Sequence, residues 1–291
     1  MNEWSLAQKA LVSLILASAF VLFLILESVF PLRRRKRGLL GRAAVNVFLS
    51  AMAFLVGGLV VRVTALSLAY WTAEQPFGLL HLIKMPFGVQ FAFGFLLMDL
   101  TFYHWHLANH AVPVLWRFHN VHHVDPDLDV TTSFRFHAVE VLYSTVFRAV
   151  QVTVLGISPL TYVVYEIFFQ IATMFHHSNS RLPIRFERWL NKIVVTPRMH
   201  GVHHSDIKGE TNSNYSVIFR WWDALHRSLR LNVPQSQIDI GVAGYREPQD
   251  NNLWSLIVLP FRKQRYYWPQ SVQRPPAEGV TLPTRLSLML E

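Results

Sequence analysis

Half of the chain's 14 histidines fall in one stretch, Asp99 to Glu140, and any fold must give those rings partners. On a helix, residues three or four apart share a face, which places His106 with His110, and His119 with His122 and His123. A later segment, RMHGVHHSD, carries His200, His203 and His204 in the same spacing as HNVHH, and His176 and His177 lie between the two. The pattern reads H-x3-H, H-x2-H-H, H-H, H-x2-H-H. The three spaced boxes hold eight imidazoles, more than the four ligands of a tetrahedral zinc, so the count points to two metals. Imidazole suits zinc, copper, iron and nickel, and the ligand positions hold no cysteine or acid of the kind a hard cation wants. The competing reading, histidines as interfacial side chains with an apolar body and a polar tip, serves a lone ring better than three spaced boxes.

The remainder of the chain reads as membrane. Of 291 residues, 52% are hydrophobic and 15% charged, against about 25% charged in ordinary soluble domains. No cysteine is present, which excludes disulfides, thiolate zinc, iron–sulfur clusters and thiol nucleophiles. The formal charge of +9 sits beside apolar segments, a pattern of anionic lipid and positive-inside topology rather than of nucleic acid. Ala10 to Phe30 is an apolar run long enough to cross a hydrocarbon core of ~30 Å. It continues past the small triplet Ala17-Ser18-Ala19, so it reads as an uncleaved anchor. The block Arg33-Arg34-Arg35-Lys36-Arg37 then predicts a cytoplasmic loop.

A second span is predicted over Ala43 to about Tyr70, interrupted by Arg62 and Gly57-Gly58, and a third over Phe87 to Phe102, which returns Asp99 and the first histidines to the cytoplasmic side. Val141–Leu155 and Leu160–Phe175, separated by Gly156-Ile157-Ser158-Pro159, read as a helical hairpin that delivers His176 and His177 to the same side. Arg181–Val195 is basic and amphipathic, suited to a membrane surface, and Asn212–Leu229 has the mixture expected of an interfacial helix. Residues from Trp268 on are Pro-rich and read as an extended tail. The expected class is an all-α integral membrane helical bundle with a cytoplasm-facing, histidine-rich dimetal site. Its expected parts are N-terminal transmembrane helices over 1–98, a histidine-box catalytic domain with the hairpin over 99–230, and a C-terminal cytoplasmic segment and tail over 231–291.

Between about Asp99 and Leu229 the sequence resembles the fatty acid hydroxylase superfamily, often called the sterol desaturase family. The residues that carry the resemblance are Asp99, Tyr103 with His106 and His110, Leu115-Trp116-Arg117-Phe118-His119 with His122-His123, Arg135-x-His137-x-x-Glu140, Gln170, His177-Ser178-Asn179, His200-x-x-His203-His204, Asn214-Tyr215 and Trp222-Asp223. The resemblance implies a membrane-bound diiron oxygenase that uses O2 and external electrons to hydroxylate or desaturate a lipid: a sterol, a fatty acyl chain or an ether lipid. It carries ligand and catalytic roles to His106, His110, His119, His122, His123, His200, His203 and His204, with His177 and His176 as further metal ligands. Asp99, His137, Glu140 and Asp223 are expected to orient ligating rings, because a metal-bound imidazole usually donates its other N–H to a carboxylate or carbonyl. His81, His104 and His226 match no family position and read as packing or interfacial residues. Leu107, where relatives often carry arginine, and Ala224-Leu225-His226-Arg227-Ser228 after Trp-Asp depart from the family pattern without touching a ligand.

The implied cofactor is a pair of iron ions, with zinc a possible substitute in purified protein. No flavin, haem or iron–sulfur motif is found in the chain, so a separate ferredoxin-like, cytochrome b5-like or reductase donor is expected, and no nucleic acid. A bacterial inner membrane is the expected location. The alternative is a zinc-dependent membrane hydrolase, with Asp125, Asp127 or Asp206 as its general base.

Overall fold

The computed structural model describes residues 5–56 and 62–268, and among them every regular element is a helix, with three isolated β-bridges besides. The long helices are α1 (Leu6–Val29), α2 (Leu39–Val56), α3 (Arg62–Glu74), α4 (Phe87–Ala111), α5 (Pro113–His123), α6 (Ala138–Leu155) and α7 (Pro159–His177). Short ones follow: α8 (Ile184–Leu190), α9 (Pro197–His203), α10 (Lys208–Thr211), α11 (Trp221–Leu225) and α12 (Leu253–Val258). Gly57-Gly58 and the Pro-rich tail beyond Trp268 lie outside the described residues.

Helix α1 opens on a capping box: the Ser5 hydroxyl accepts from the Gln8 amide and the Gln8 side chain accepts from the Ser5 amide. Its apolar side chains find little protein to cover them; Leu11, Leu14, Val21, Leu22 and Ile25 are each more than half exposed. A soluble protein does not leave such a face in water, and a bilayer removes the cost. By length and composition α1 and α6 can each cross a membrane, with Leu39–Leu55 as a shorter apolar helix. The chain is a membrane protein.

The predicted hairpin is present as α6 and α7. Gly156 ends α6 in the left-handed region (φ 73°), and Ser158 caps α7 by accepting from the Thr161 amide, with Pro159 at its first position. Gly78, at φ 103° and ψ 170°, sits against Gly156, and the Thr72 hydroxyl donates to the Ile157 carbonyl at 3.1 Å. Ala65 and Ala69 of α3, Met98 of α4, Val152 of α6, and Tyr162 and Tyr165 of α7 form the core there.

The joint between α4 and α5 is set by Pro113. It has no N–H to continue α4 and it pushes Val112 into the extended region (φ −91°, ψ 116°), so the chain turns and α5 begins at once. This folds the first two histidine boxes back on each other. Behind them, Arg42 of α2 is buried among three acids: Asp125 at 2.7 Å, Asp127 at 3.9 Å, and Asp129. Burial alone would raise the Asp125 carboxyl, but Arg42, Arg135, Asn46 and Thr132 together hold it below its usual range.

The region Asn212–Leu229 differs from the expected interfacial helix; only α11 is helical there. The backbone amides that a helix would spend on i−4 carbonyls go to carboxylates. Tyr215 and Ser216 donate to Asp223, at 2.8 and 2.9 Å, and Ile218 and Phe219 donate to Asp99, at 3.3 and 3.0 Å. Asn214 has a positive φ of 55°. Gly78→Ala would force a side chain into a conformation essentially reserved for glycine and against the Gly156 backbone. It is expected to destabilise the fold by at least about 1–3 kcal/mol, seen as a lowered Tm of the detergent-purified protein.

Candidate metal centre

Four helices converge so that nine histidine side chains form two groups. His106 and His110 of α4, His119 and His123 of α5 and His203 of α9 make the first; in each group one ligand atom per residue lies within 4.8 Å of all the others. His122 of α5, His177 of α7, His200 of α9 and His204 just beyond it make the second. Box boundaries in sequence are therefore not group boundaries in space. His119 and His123, four apart, face one way, and His122, one helical step aside, faces the other.

In the five-histidine group four of the five rings have an anchored outer nitrogen, His123 being the exception. The Nδ1–H of His106 donates to the Tyr215 carbonyl at 2.8 Å, that of His203 to the Ser213 carbonyl at 2.7 Å, and that of His119 to Glu140 Oε1 at 2.8 Å. His110 Nδ1 stands 3.3 Å from Asn212 Oδ1. Oxygen here can only accept, so the proton is on Nδ1 and each Nε2 carries a free lone pair. The Nε2 atoms of His110, His119 and His203 are buried with no hydrogen-bond partner. Buried polar atoms normally have partners, and a metal supplies what these rings lack.

In the four-histidine group two rings are anchored in the same way, while the Nδ1 atoms of His200 and His204 have no hydrogen-bond partner. His177 Nδ1–H donates to the Thr173 carbonyl at 2.7 Å and His122 Nδ1 is 3.3 Å from the Arg135 carbonyl. The Nε2 atoms then meet: His122 to His177 at 3.0 Å, His177 to His200 at 3.0 Å, and His200 to His204 at 3.1 Å. Burial, followed by the neighbouring imidazoles, pushes His122, His123, His203 and His204 well below the ordinary histidine range, so the rings are neutral, the form that binds a metal. The donor set fits a pair of transition metals.

The remaining candidates fall in different places. His176 lies outside both groups; its ring packs 4.0 Å from that of His200. Glu140 touches a ligating ring directly, as above. Asp99 and Asp223 touch none. They hold the Tyr215–Phe219 backbone, and through Asp223 the Tyr215 carbonyl that anchors His106. His137 caps α6, accepting from the Val139 amide and donating to the Ile257 carbonyl at 3.1 Å. His104 and His226 bond to carbonyls one turn back in their own helices, in keeping with a packing role. The orienting partners that sequence reasoning missed are backbone carbonyls and Asn212. No residue type advertises a carbonyl; only the family-like Asn214-Tyr215 marked the region.

Helices with bare apolar faces carry two all-imidazole clusters, each able to hold a metal ion. Residues 91–228 match the Fatty acid hydroxylase family profile, and this part of the chain belongs to that family, which is also that of the sterol desaturases. The chain is 28% identical over 161 residues to ornithine lipid hydroxylase OlsE of Rhizobium tropici, covering 55% of this chain and 48% of that protein. It is 31% identical over 144 residues to human cholesterol 25-hydroxylase, covering 47% and 50%. It is 28% identical over 220 residues to a cholesterol 25-hydroxylase-like protein of Danio rerio, covering 71% and 84%. The match thus spans about half the length of the first two relatives. No solved structure matches.

Glu140→Gln removes the charge that holds the His119 ring while keeping its size. It is expected to weaken metal binding at the five-histidine group by about 10–100-fold, read by competition against a chelator of known affinity.

Proposed function

We propose that the chain is a membrane-bound diiron oxygenase that hydroxylates or desaturates a lipid. The observation that carries this reading is the pair of adjacent all-imidazole groups, fed by shared helices α5 and α9 and enclosed by helices whose outer faces are apolar. When bound, two irons would supply the O2 chemistry that no side chain can. His106, His110, His119, His123 and His203 would hold one, and His122, His177, His200 and His204 the other.

The chain's own residues fix the tautomers. Glu140 and the Tyr215, Ser213 and Thr173 carbonyls keep protons on the outer nitrogens, and the burial of the rings excludes water from the inner ones. An apolar substrate reaches the site from the bilayer, in line with relatives named for ornithine lipid, cholesterol and alkylglycerol. Hydroxylation consumes one O2, two electrons and two protons and yields the alcohol and water. Desaturation with the same inputs removes two hydrogens and yields two waters. The electrons come from a separate ferredoxin-like, cytochrome b5-like or reductase partner. We place the protein in a bacterial cell membrane with the histidine boxes facing the cytoplasm, and assign catalysis to residues 99–230 between the anchoring helices and the C-terminal segment.

The zinc hydrolase reading needs a free carboxylate beside a metal. Asp125 is committed to Arg42 and held below its usual range, Asp127 accepts two backbone amides at 2.7 and 2.9 Å, and Asp206 pairs with Arg246. None belongs to either histidine group.

Cells expressing the chain under 18O2 are expected to accumulate a lipid heavier by one labelled oxygen, or lighter by two hydrogens, and His203→Ala should abolish the change. Lipids identical in mass to those of control cells, with an O2-independent ester or amide cleavage in their place, would support the hydrolase and end the oxygenase reading.

A further inference from the structure

The segment joining α1 to α2 carries the basic block, and its position in the fold goes well beyond a solvated cationic loop. It lies outside the residues that match the family profile. Its first member, Glu27, is the one wholly buried residue of α1, an acid at the end of an otherwise apolar helix. Burying a carboxylate is costly unless its oxygens are used, and these are. Glu27 Oε2 accepts the backbone amides of Val130 and Asn179, both at 3.0 Å, and Oε1 takes Arg35 at 3.3 Å.

From there the chain runs alongside the residues that follow His177. Leu32 donates its amide to the Asn179 carbonyl and Arg181 donates to the Phe30 carbonyl, each at 2.7 Å. The Asn179 side chain closes the pair, accepting from the Arg33 amide and donating to the Arg33 carbonyl, each at 2.9 Å. The Arg33 guanidinium then reaches the carbonyl of Pro197 at 2.9 Å, at the first residue of α9. It passes over Gly201, between the ligands His200 and His203, where an added Cβ would overlap it. Finally the amides of Lys36 and Arg37 are both taken by the Asp127 carboxylate, four residues beyond His123.

One eleven-residue stretch therefore bonds beside each of the three elements that supply the four-histidine group: beyond α5 to the Asp127 carboxylate and the Val130 amide, beyond α7 to Asn179, and at the start of α9 to the Pro197 carbonyl. Helix α4, which gives His106 and His110 to the other group, is bound by none of these contacts.

We propose that Glu27–Arg37 is a positioning clamp for the four-histidine metal group, with Glu27 and Arg33 as its two working side chains. The inference rests on the two-metal reading above. Rigid placement of ligands decides metal affinity, and residues that act only through the ligands' supports still change it by an order of magnitude. The four-histidine group depends on it most: all of its rings sit on or just beyond clamped elements, whereas in the five-histidine group His106 and His110 ride on α4, and His106, His119 and His203 keep their own anchors at the Tyr215 carbonyl, Glu140 and the Ser213 carbonyl.

The test is iron content and Mössbauer spectroscopy of the full-length protein purified from cells grown on iron-57. Glu27→Gln and Arg33→Gln are expected to lower iron per chain about twofold relative to wild type, leaving the signal that Glu140→Gln perturbs. Arg33→Lys, which can still donate to the Pro197 carbonyl, should recover most of the loss. Gly78→Ala, which strains the α6–α7 turn without touching the clamp, should lower the Tm and keep both irons. Retention of both irons with unaltered spectra in the two Gln variants would overturn the clamp, as would equal iron loss in Gly78→Ala. A wild-type protein that takes up no iron in the four-histidine group would instead overturn the two-metal reading on which the clamp rests.

Discussion

Nine imidazoles packed side by side, eight of them buried and His110 half-buried, are tolerable only while they stay neutral and their inner nitrogens have something to bind, and most of the structure follows from that constraint. Each outer nitrogen with an anchor bonds to an oxygen, in most cases a backbone carbonyl. Those carbonyls must be stationary, so the loops that present them are pinned in turn, by Asp223 and Asp99 on one side and by Glu27 and Asp127 on the other. Polar side chains far from the histidines are in this sense part of the ligand sphere. Their burial, costly in isolation, is offset by the backbone amides they satisfy.

Two solvents shape the two halves of the molecule. Among the described residues the exposed apolar faces of α1 and α2 suit a bilayer, whereas eight of the nine grouped histidines of α4, α5, α7 and α9 are buried in protein. The joint is made by short, specific devices. Pro113 turns the chain between two histidine boxes, Gly156 and Ser158 close the α6–α7 hairpin, and the basic turn after α1 ties the anchor to the site.

Much of this was legible in the residues. Histidine spacing picked out the nine rings that the fold gathers into two groups because the chemistry resides in the residue type, and the α6–α7 hairpin followed from a Gly-x-Ser-Pro signal between two apolar arms. The division into five and four was not read, since it depends on helix rotation: His122 leaves the face of its own box and joins His177. Asn212–Leu229 was misjudged as a helix because its composition suits one, while the carboxylates that capture its amides, Asp99 and Asp223, act from outside the segment or from its far end. His137, expected beside a ligand, is occupied as a helix cap. The clamp was invisible because its bonds to the rest of the fold join residues 90 or more positions apart; an acid closing an apolar helix, Glu27, was the local sign.

The central claim is that two metals sit side by side, each in an all-imidazole shell. Anomalous diffraction from crystals of iron-loaded protein, collected on both sides of the iron edge, addresses it directly. The account predicts two iron peaks, one among His106, His110, His119, His123 and His203 and one among His122, His177, His200 and His204. A single peak, or a carboxylate of Asp125, Asp127 or Asp206 bound to the metal, would contradict it.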